Sequence, residues 1–302
     1  MKVTALAGGV GGAKLLIGLD RVADDLTAVV NTGDDATIYG LHVSPDVDIV
    51  TYWLAGIADT ERGWGIRGDT WSVVDTLGKL GLENWFRLGD RDLATCLYRT
   101  GRLRDGATLS VVTAEITRSL GVRPTILPMS DDPVGTRVVT ADDRTLEFQE
   151  YFVREKQQPD VKEVRFAGIA DAKPAPGVID ALRSADVVIL CPSNPVVSLA
   201  PILELPDVHS TIAEHPRVIG VSPIVRGAPL KGPADKLLTA TGVEVSASGV
   251  AGLYGELLDT FVVDATDPDE VAKVEALGIR AVTLDTIMGT PEASERLAGA
   301  LL

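Results

Sequence analysis

The first thirty or so residues restrict the fold more than any other stretch of the chain. Val3 to Ala7 is an apolar run of strand length, and it ends in the glycine-rich segment Gly8-Gly9-Val10-Gly11-Gly12. An amphipathic helix is expected from about Ala13 to Val22, and Thr27 to Asn31 reads as a second strand. A strand, a tight turn, a helix and a further strand build a parallel sheet, because parallel neighbours need a crossover between them.

After Ser44 the character changes. Ser44-Pro45-Asp46 reads as a helix start, with Ser44 as cap and Pro45 in the first helical position. Further helices are expected near Thr70 to Leu80, Arg91 to Thr100 and Thr108 to Leu120, and all four tryptophans lie in this third of the chain. Short strands follow near Thr125 to Leu127, Arg137 to Thr140 and Leu146 to Gln149. From about Val161 the α/β rhythm returns, with strands at Asp186 to Cys191, Arg217 to Val221, Thr260 to Val263 and Arg280 to Thr283. The expected architecture is α/β: a doubly wound, mostly parallel Rossmann-like sheet with a mainly helical insertion. Residues 1–43 and 161–302 form the core, and 44–160 the insertion.

Composition narrows the partners. A formal charge of -15 argues against nucleic acid, whose backbone needs clustered Lys and Arg. No run approaches the ~20 apolar residues of a membrane span, and the start of the chain does not read as a signal peptide. Cys96 and Cys191 lack metal or redox spacing, which fits a cytoplasmic protein, and Cys191 closes an apolar run as a buried thiol would.

In an open parallel sheet, ligands bind beyond the carboxyl ends of the strands. The glycine segment, Asn31-Thr32-Gly33-Asp34-Asp35, Pro192-Ser193-Asn194-Pro195 and the stretch from Ser222-Pro223 to Pro233 all fall at that edge. Together they suggest an extended, nucleotide-like ligand. A Walker loop is excluded because Lys14 stands between Ala13 and Leu15. A dinucleotide fingerprint would need glycine at position 14 and an acid at the end of the second strand, where Asn31 stands.

Asp46 and Asp48 could simply offset a helix dipole. With Asp34 and Asp35 on a neighbouring loop, however, several carboxylates gather, and these repel unless a cation or proton intervenes. Mg²⁺ held by some of Asp34, Asp35, Asp46 and Asp48 is the simplest remedy, and three histidines make zinc a poor alternative. Arg87 or Arg91 could face a phosphate or ring oxygen, or form local ion pairs at a helix start. Trp64, between Gly63 and Gly65, is the better stacking residue, and Trp53 and Trp71 fall on apolar helical stripes.

These segments, in this order, resemble the 2-phospho-L-lactate transferase family of coenzyme F(420) biosynthesis. The resemblance lies in Gly8 to Leu15, Val30 to Asp35, Ser44 to Asp48, Leu88 to Thr95, Leu127 to Pro133, Pro192 to Pro195 and Val221 to Ile224. It implies transfer of a phospho-acyl unit from a guanosine-diphosphate-activated three-carbon acid to the ribityl hydroxyl of the deazaflavin Fo, releasing GMP. It further implies that Asp48 and Arg87 touch Fo. Gly8, Gly9, Gly11, Gly12 and Lys14, with Ser193, Asn194, Ser222 and Pro223, would surround the nucleotide. Asp48 is the residue expected to take the proton of the Fo hydroxyl, and a homodimer is implied by the family alone. The alternative is a related glycine-rich, Asp-Asp-containing family of regulators that bind nucleotide sugars without catalysis. An NAD oxidoreductase is disfavoured by the missing fingerprint.

Overall fold

The computed structural model describes residues 1–302 and centres on seven strands paired in parallel throughout. Across the sheet they run Arg280–Leu284, Thr260–Asp264, Val218–Val221, Val187–Leu190, Lys2–Ala7, Asp25–Val30 and Thr125–Pro128. The chain begins near the middle and adds Asp25–Val30 and Thr125–Pro128 on one side. It then returns to build the other side outward from Val187–Leu190. The order therefore reverses between Lys2–Ala7 and Val187–Leu190, the place where such sheets open a ligand crevice.

Both faces of the sheet are dry. Val3, Ala5, Ala7, Val187 and Ile189 pack on one side, under the helices Gly9–Val22, Pro45–Leu54 and Pro291–Leu301. Leu6, Val188 and Leu190 pack on the other, with Leu182, Ile212, Leu237 and Val250 from four further helices. Burial on both faces is why these strands read as unbroken apolar runs instead of alternating ones.

Three local expectations change. The first helix starts at Gly9, not near Ala13, so the glycine segment is its opening turn and not a loop before it. Ser44 does not cap its helix; its hydroxyl donates to Asp35 Oδ2 at 2.6 Å, while Pro45 keeps the first helical position. The strands Thr125–Pro128 and Val161–Ala167 exchange their expected places. The former is the edge of the central sheet, and the latter pairs antiparallel with Gly135–Thr140 in a separate three-stranded sheet. Val161–Ala167 carries Lys162, Glu163 and Arg165 and has no fully buried residue, so it could not have sat inside the central sheet.

Between Asp25–Val30 and Thr125–Pro128 lie four helices, Pro45–Leu54, Ser72–Lys79, Asp90–Arg104 and Leu109–Ser119, close to their expected ranges. Two of them are joined by exchanged caps. Asp90 accepts from Thr70 Oγ1 at 2.6 Å and from the Val73 amide at 3.0 Å, at the start of Ser72–Lys79. Asp69 accepts from the amides of Arg91 and Asp92 at the start of Asp90–Arg104. A Cβ on Gly89 would lie 2.1 Å from Asp69 Oδ2, so the chain can make this cap only with glycine there.

The helices Gly9–Val22 and Pro291–Leu301 touch backbone to backbone at Gly18, where a Cβ would lie 2.1 Å from the Ser294 carbonyl oxygen. Gly18→Ala should therefore lose about 1–3 kcal/mol by overpacking, although alanine is the better helix former. Urea denaturation checks this: the midpoint falls, and an unchanged or raised midpoint would contradict the packing described.

Candidate active site

The glycines are required by what presses against them. A Cβ on Gly8 would lie 2.4 Å from Asp46 Oδ2, and one on Gly11 2.2 Å from the Pro192 carbonyl oxygen. On Gly12 it would lie 2.7 Å from Ser193 Oγ. Gly9 has φ +63°, a conformation that L side chains rarely adopt. Without side chains here, the first strand end and helix start meet the Pro192–Asn194 loop, and the Gly8 amide donates to Ser193 Oγ at 3.0 Å. Asn194 is pinned in turn, its Oδ1 accepting from the amides of Val196 and Val197.

A cavity of about 780 Å³ opens at this point. Its lining includes Gly8, Gly9, Gly11, Lys14, Ser193, Asn194, Ser222 and Pro223, all expected at a donor nucleotide. Gly12 lies behind this wall, packed on Ala7. Trp64, Phe86, Arg87, Phe148 and Phe152 belong to the same lining. Trp64 is 40% exposed, with the Arg62 guanidinium over its ring at 5.3 Å from the ring centre. Arg87 pairs with Asp75 at 2.7 Å and lies 5.5 Å from the Trp71 ring centre; Arg91 is exposed and off the cavity wall. Trp53 packs partly into the core as expected, but Trp71 does not: it is held between the guanidinium groups of Arg62 and Arg87. Cys96 and Cys191 are both buried free thiols.

The expected quartet of carboxylates divides into two pairs with different surroundings. Asp34 and Asp46 lie on the cavity wall, buried and without an ion pair. Asp46 accepts from the Gly9 amide at 2.8 Å and from Asn31 Nδ2 at 3.0 Å, while the buried Oδ1 of Asp34 meets no donor. Burial pushes Asp46 up to about 6. Burial, and then the charge of Asp46, hold Asp34 well above the ordinary carboxylate range. Asp35 lies off the cavity wall and is engaged by His42 Nε2 at 2.9 Å and Ser44 Oγ at 2.6 Å.

Asp48 reaches the cavity but is tied from behind by Arg99, which is 1% exposed and bonds both carboxylate oxygens. Even so, burial outweighs the guanidinium and raises the Asp48 pKa. Next to it Asp92 accepts from the Tyr52 hydroxyl at 2.8 Å and is pushed up to about 7, by burial first and then by Asp48. Oxygens of Asp48 and Asp92 and the sulfur of Cys96 lie within 4.8 Å of one another. The Arg99 guanidinium already supplies the positive charge there, so this group does not need a metal. An all-carboxylate pair with an orphaned buried oxygen, as at Asp34 and Asp46, suits a hard cation such as Mg²⁺.

Sequence reasoning missed Arg99, Tyr52 and the aromatic wall of Phe86, Phe148 and Phe152. Arg99 follows Asp92 by two helical turns and Cys96 by one, a spacing that places all three on one face; only its lack of any apolar reason to be buried could have flagged it.

The raised carboxylates have a consequence for stability. The folded state keeps protons on Asp34 and Asp46 at pH values where the unfolded chain, with carboxylates near pKa ~4, has released them. Stability without metal should therefore fall as pH rises from about 4 through 6 and beyond. Asp34→Asn removes one such group. In EDTA its melting temperature should exceed wild type at pH 8 and match it near pH 4; a variant less stable at pH 8 would contradict the burial penalty.

Comparison with known proteins places the chain in a family. Residues 3–297 match the family described as 2-phospho-L-lactate transferase CofD. A phosphoenolpyruvate transferase of Kitasatospora aureofaciens is 44% identical over 99% of this chain and 96% of its own. A 2-phospho-L-lactate transferase of Methanosarcina mazei is 40% identical over 97% of this chain and 96% of its own. The crystal structure of a Bacillus halodurans protein of the UPF0052 family aligns with a TM-score of 0.66 at 18% identity, covering 99% of this chain and 98% of that one, and shows the shared fold. The chain therefore belongs to the 2-phospho-L-lactate transferase CofD family and is an enzyme of that kind, a transferase.

Proposed function

We propose that the chain transfers a phospho-acyl unit from a guanosine-diphosphate-linked three-carbon acid to the ribityl hydroxyl of Fo, releasing GMP, in coenzyme F(420) biosynthesis. The observation that carries this reading is one cavity lined by two unlike groups of residues. The glycine and helix-start group, with Ser193, Asn194, Ser222 and Pro223, suits a diphosphate and its nucleoside. The group of Trp64, Phe86, Phe148 and Phe152 suits a flat tricyclic acceptor, with Arg87 at its polar edge. The membership of a transferase family favours this reading over a non-catalytic nucleotide-sugar binder.

The chemistry joins the acceptor oxygen to the phosphorus that carries the acid and breaks the anhydride bond to GMP. The acceptor loses its hydroxyl proton and GMP keeps the bridging oxygen. Asp48 is the residue placed to accept from that hydroxyl. Arg99 holds both its oxygens from behind, which fixes the carboxylate and leaves lone pairs facing the cavity. Burial raises its affinity for a proton, as suits a group that receives one. Asp34 and Asp46 would hold Mg²⁺. When bound, that ion neutralises the diphosphate and stabilises charge on the departing GMP. Such transfers depend on positioning and electrostatics, and no covalent enzyme intermediate is invoked.

Incubation with Fo, Mg²⁺ and guanosine-diphosphate-linked phospholactate or enolpyruvyl phosphate, followed by mass spectrometry, should show a phosphodiester of Fo together with GMP. Absence of any Fo-containing product with every such donor would overturn the reading. Asp48→Asn should lower kcat by about 10²–10⁴-fold and also lower the melting temperature, because the buried Arg99 guanidinium loses its partner; near wild-type turnover in the folded variant would remove Asp48 from proton transfer. Mg²⁺ should raise the melting temperature of the wild type at pH 8 and leave Asp34→Asn nearly unchanged. Equal stabilisation of both proteins would place the ion elsewhere.

A further inference from the structure

Four cationic side chains reach the cavity wall: Lys14, Arg62, Arg87 and Lys231. The two arginines are already paired, Arg62 with Asp59 at 2.9 Å and Arg87 with Asp75 at 2.7 Å. Lys14 and Lys231 have neither an ion pair nor a hydrogen bond. Burial, and then the charge of Lys231, push the Lys14 ammonium down from its ordinary pKa. Lys231 Nζ arrives beside Gly63, where a Cβ would lie 2.8 Å from it and 3.2 Å from Val10 Cγ2. Val10 stands one helical turn before Lys14, so Lys14, Val10, Gly63 and Lys231 form one patch. Trp53 closes its floor, donating from Nε1 to the Gly63 carbonyl at 3.2 Å, with Lys14 Nζ 5.9 Å from its ring centre.

Three separate segments thus converge: the first helix, the Gly63 loop, and the residues just after the small hairpin of Ile224–Val225 and Ala228–Pro229. Two unpaired ammonium groups, one half-buried and one exposed, repel each other at a cavity wall, and an anion between them relieves that repulsion. The free carboxylates, Asp34 and Asp46, are grouped at the Gly8-Gly9 end of the same helix start. An anion lying along the glycines would have carboxylates on one flank, where a cation is needed, and the lysines on the other, where none is.

We infer that Lys14 and Lys231 form a two-ammonium clamp for the diphosphate of the donor, with Lys231 closing over it from beyond the hairpin. This subsite needs no metal, and Lys231 is its distinguishing member. The inference rests on the reading that the donor is a nucleoside diphosphate derivative.

Isothermal titration calorimetry of the full chain in EDTA tests it, with GDP and GMP as probes. Lys14→Met and Lys231→Met should each weaken GDP binding by about 10–100-fold, the worth of a charge-assisted hydrogen bond. GMP, one phosphate shorter, should change much less, and Lys231→Arg should retain most of the GDP affinity. Thermal melts confirm that each variant is folded; Lys231 is exposed, so its replacement leaves the core intact. Unchanged GDP affinity in Lys231→Met overturns the clamp, as do equal losses for GDP and GMP. If wild type binds neither nucleotide with or without Mg²⁺, the donor reading itself fails and the clamp falls with it.

Discussion

The site depends on the absence of side chains at Gly8, Gly11 and Gly12. Each of these positions is pressed by a group that a methyl would displace: the Asp46 carboxylate, the Pro192 backbone and the Ser193 hydroxyl. Two strands that are neighbours in the sheet but far apart in sequence can therefore join their loops at the switch point. The carboxylate of Asp46 can then reach the Gly9 amide at the start of the first helix. Adding one carbon at Gly8 would push the Asp46 carboxylate away, and at Gly11 or Gly12 it would push away the Pro192–Ser193 loop.

Once that contact is made, electrostatics divides the cavity. The site buries more acids than it supplies with cations. Arg99 compensates Asp48 and, through it, the Asp92–Tyr52 pair. His42 and Ser44 engage Asp35. Asp34 and Asp46 remain, with an orphaned oxygen and raised pKa values, because no cationic side chain pairs with them and their hydrogen bonds do not make up for burial. At the other end two lysines are left equally unmatched. A pocket with uncompensated charge of both signs is costly to the empty protein and suited to a ligand that brings a phosphate chain and a cation together.

Much of this was legible in the sequence, and the gaps have physical causes. A buried strand, a glycine segment and a helix lead to a parallel sheet whatever the distant contacts are, and the loops expected at its carboxyl edge do line the cavity. What local pattern could not show was partnership across the chain. Asp48 was expected both as a possible metal ligand and as a proton acceptor, and local pattern could not show that Arg99, fifty-one positions away, holds it. Ser44 looked like a cap, and only the fold brings Asp35 to its hydroxyl. Val161–Ala167 looked like a return to the core because its alternation of apolar and charged residues suits any strand with one dry face. Trp71 looked like core because a stripe does not reveal the two guanidinium groups that cover its ring.

The central claim is that the glycine-bordered helix start and the Asp34–Asp46 pair act on one bound phosphate chain. Anomalous scattering from a crystal grown with GDP and Mn²⁺ tests it most directly. The account predicts a manganese peak touching both Asp34 and Asp46, with the diphosphate against the first-turn amides of Val10 and Gly11. Manganese at another set of residues, or a nucleotide whose phosphates lie away from the first helix, would contradict it.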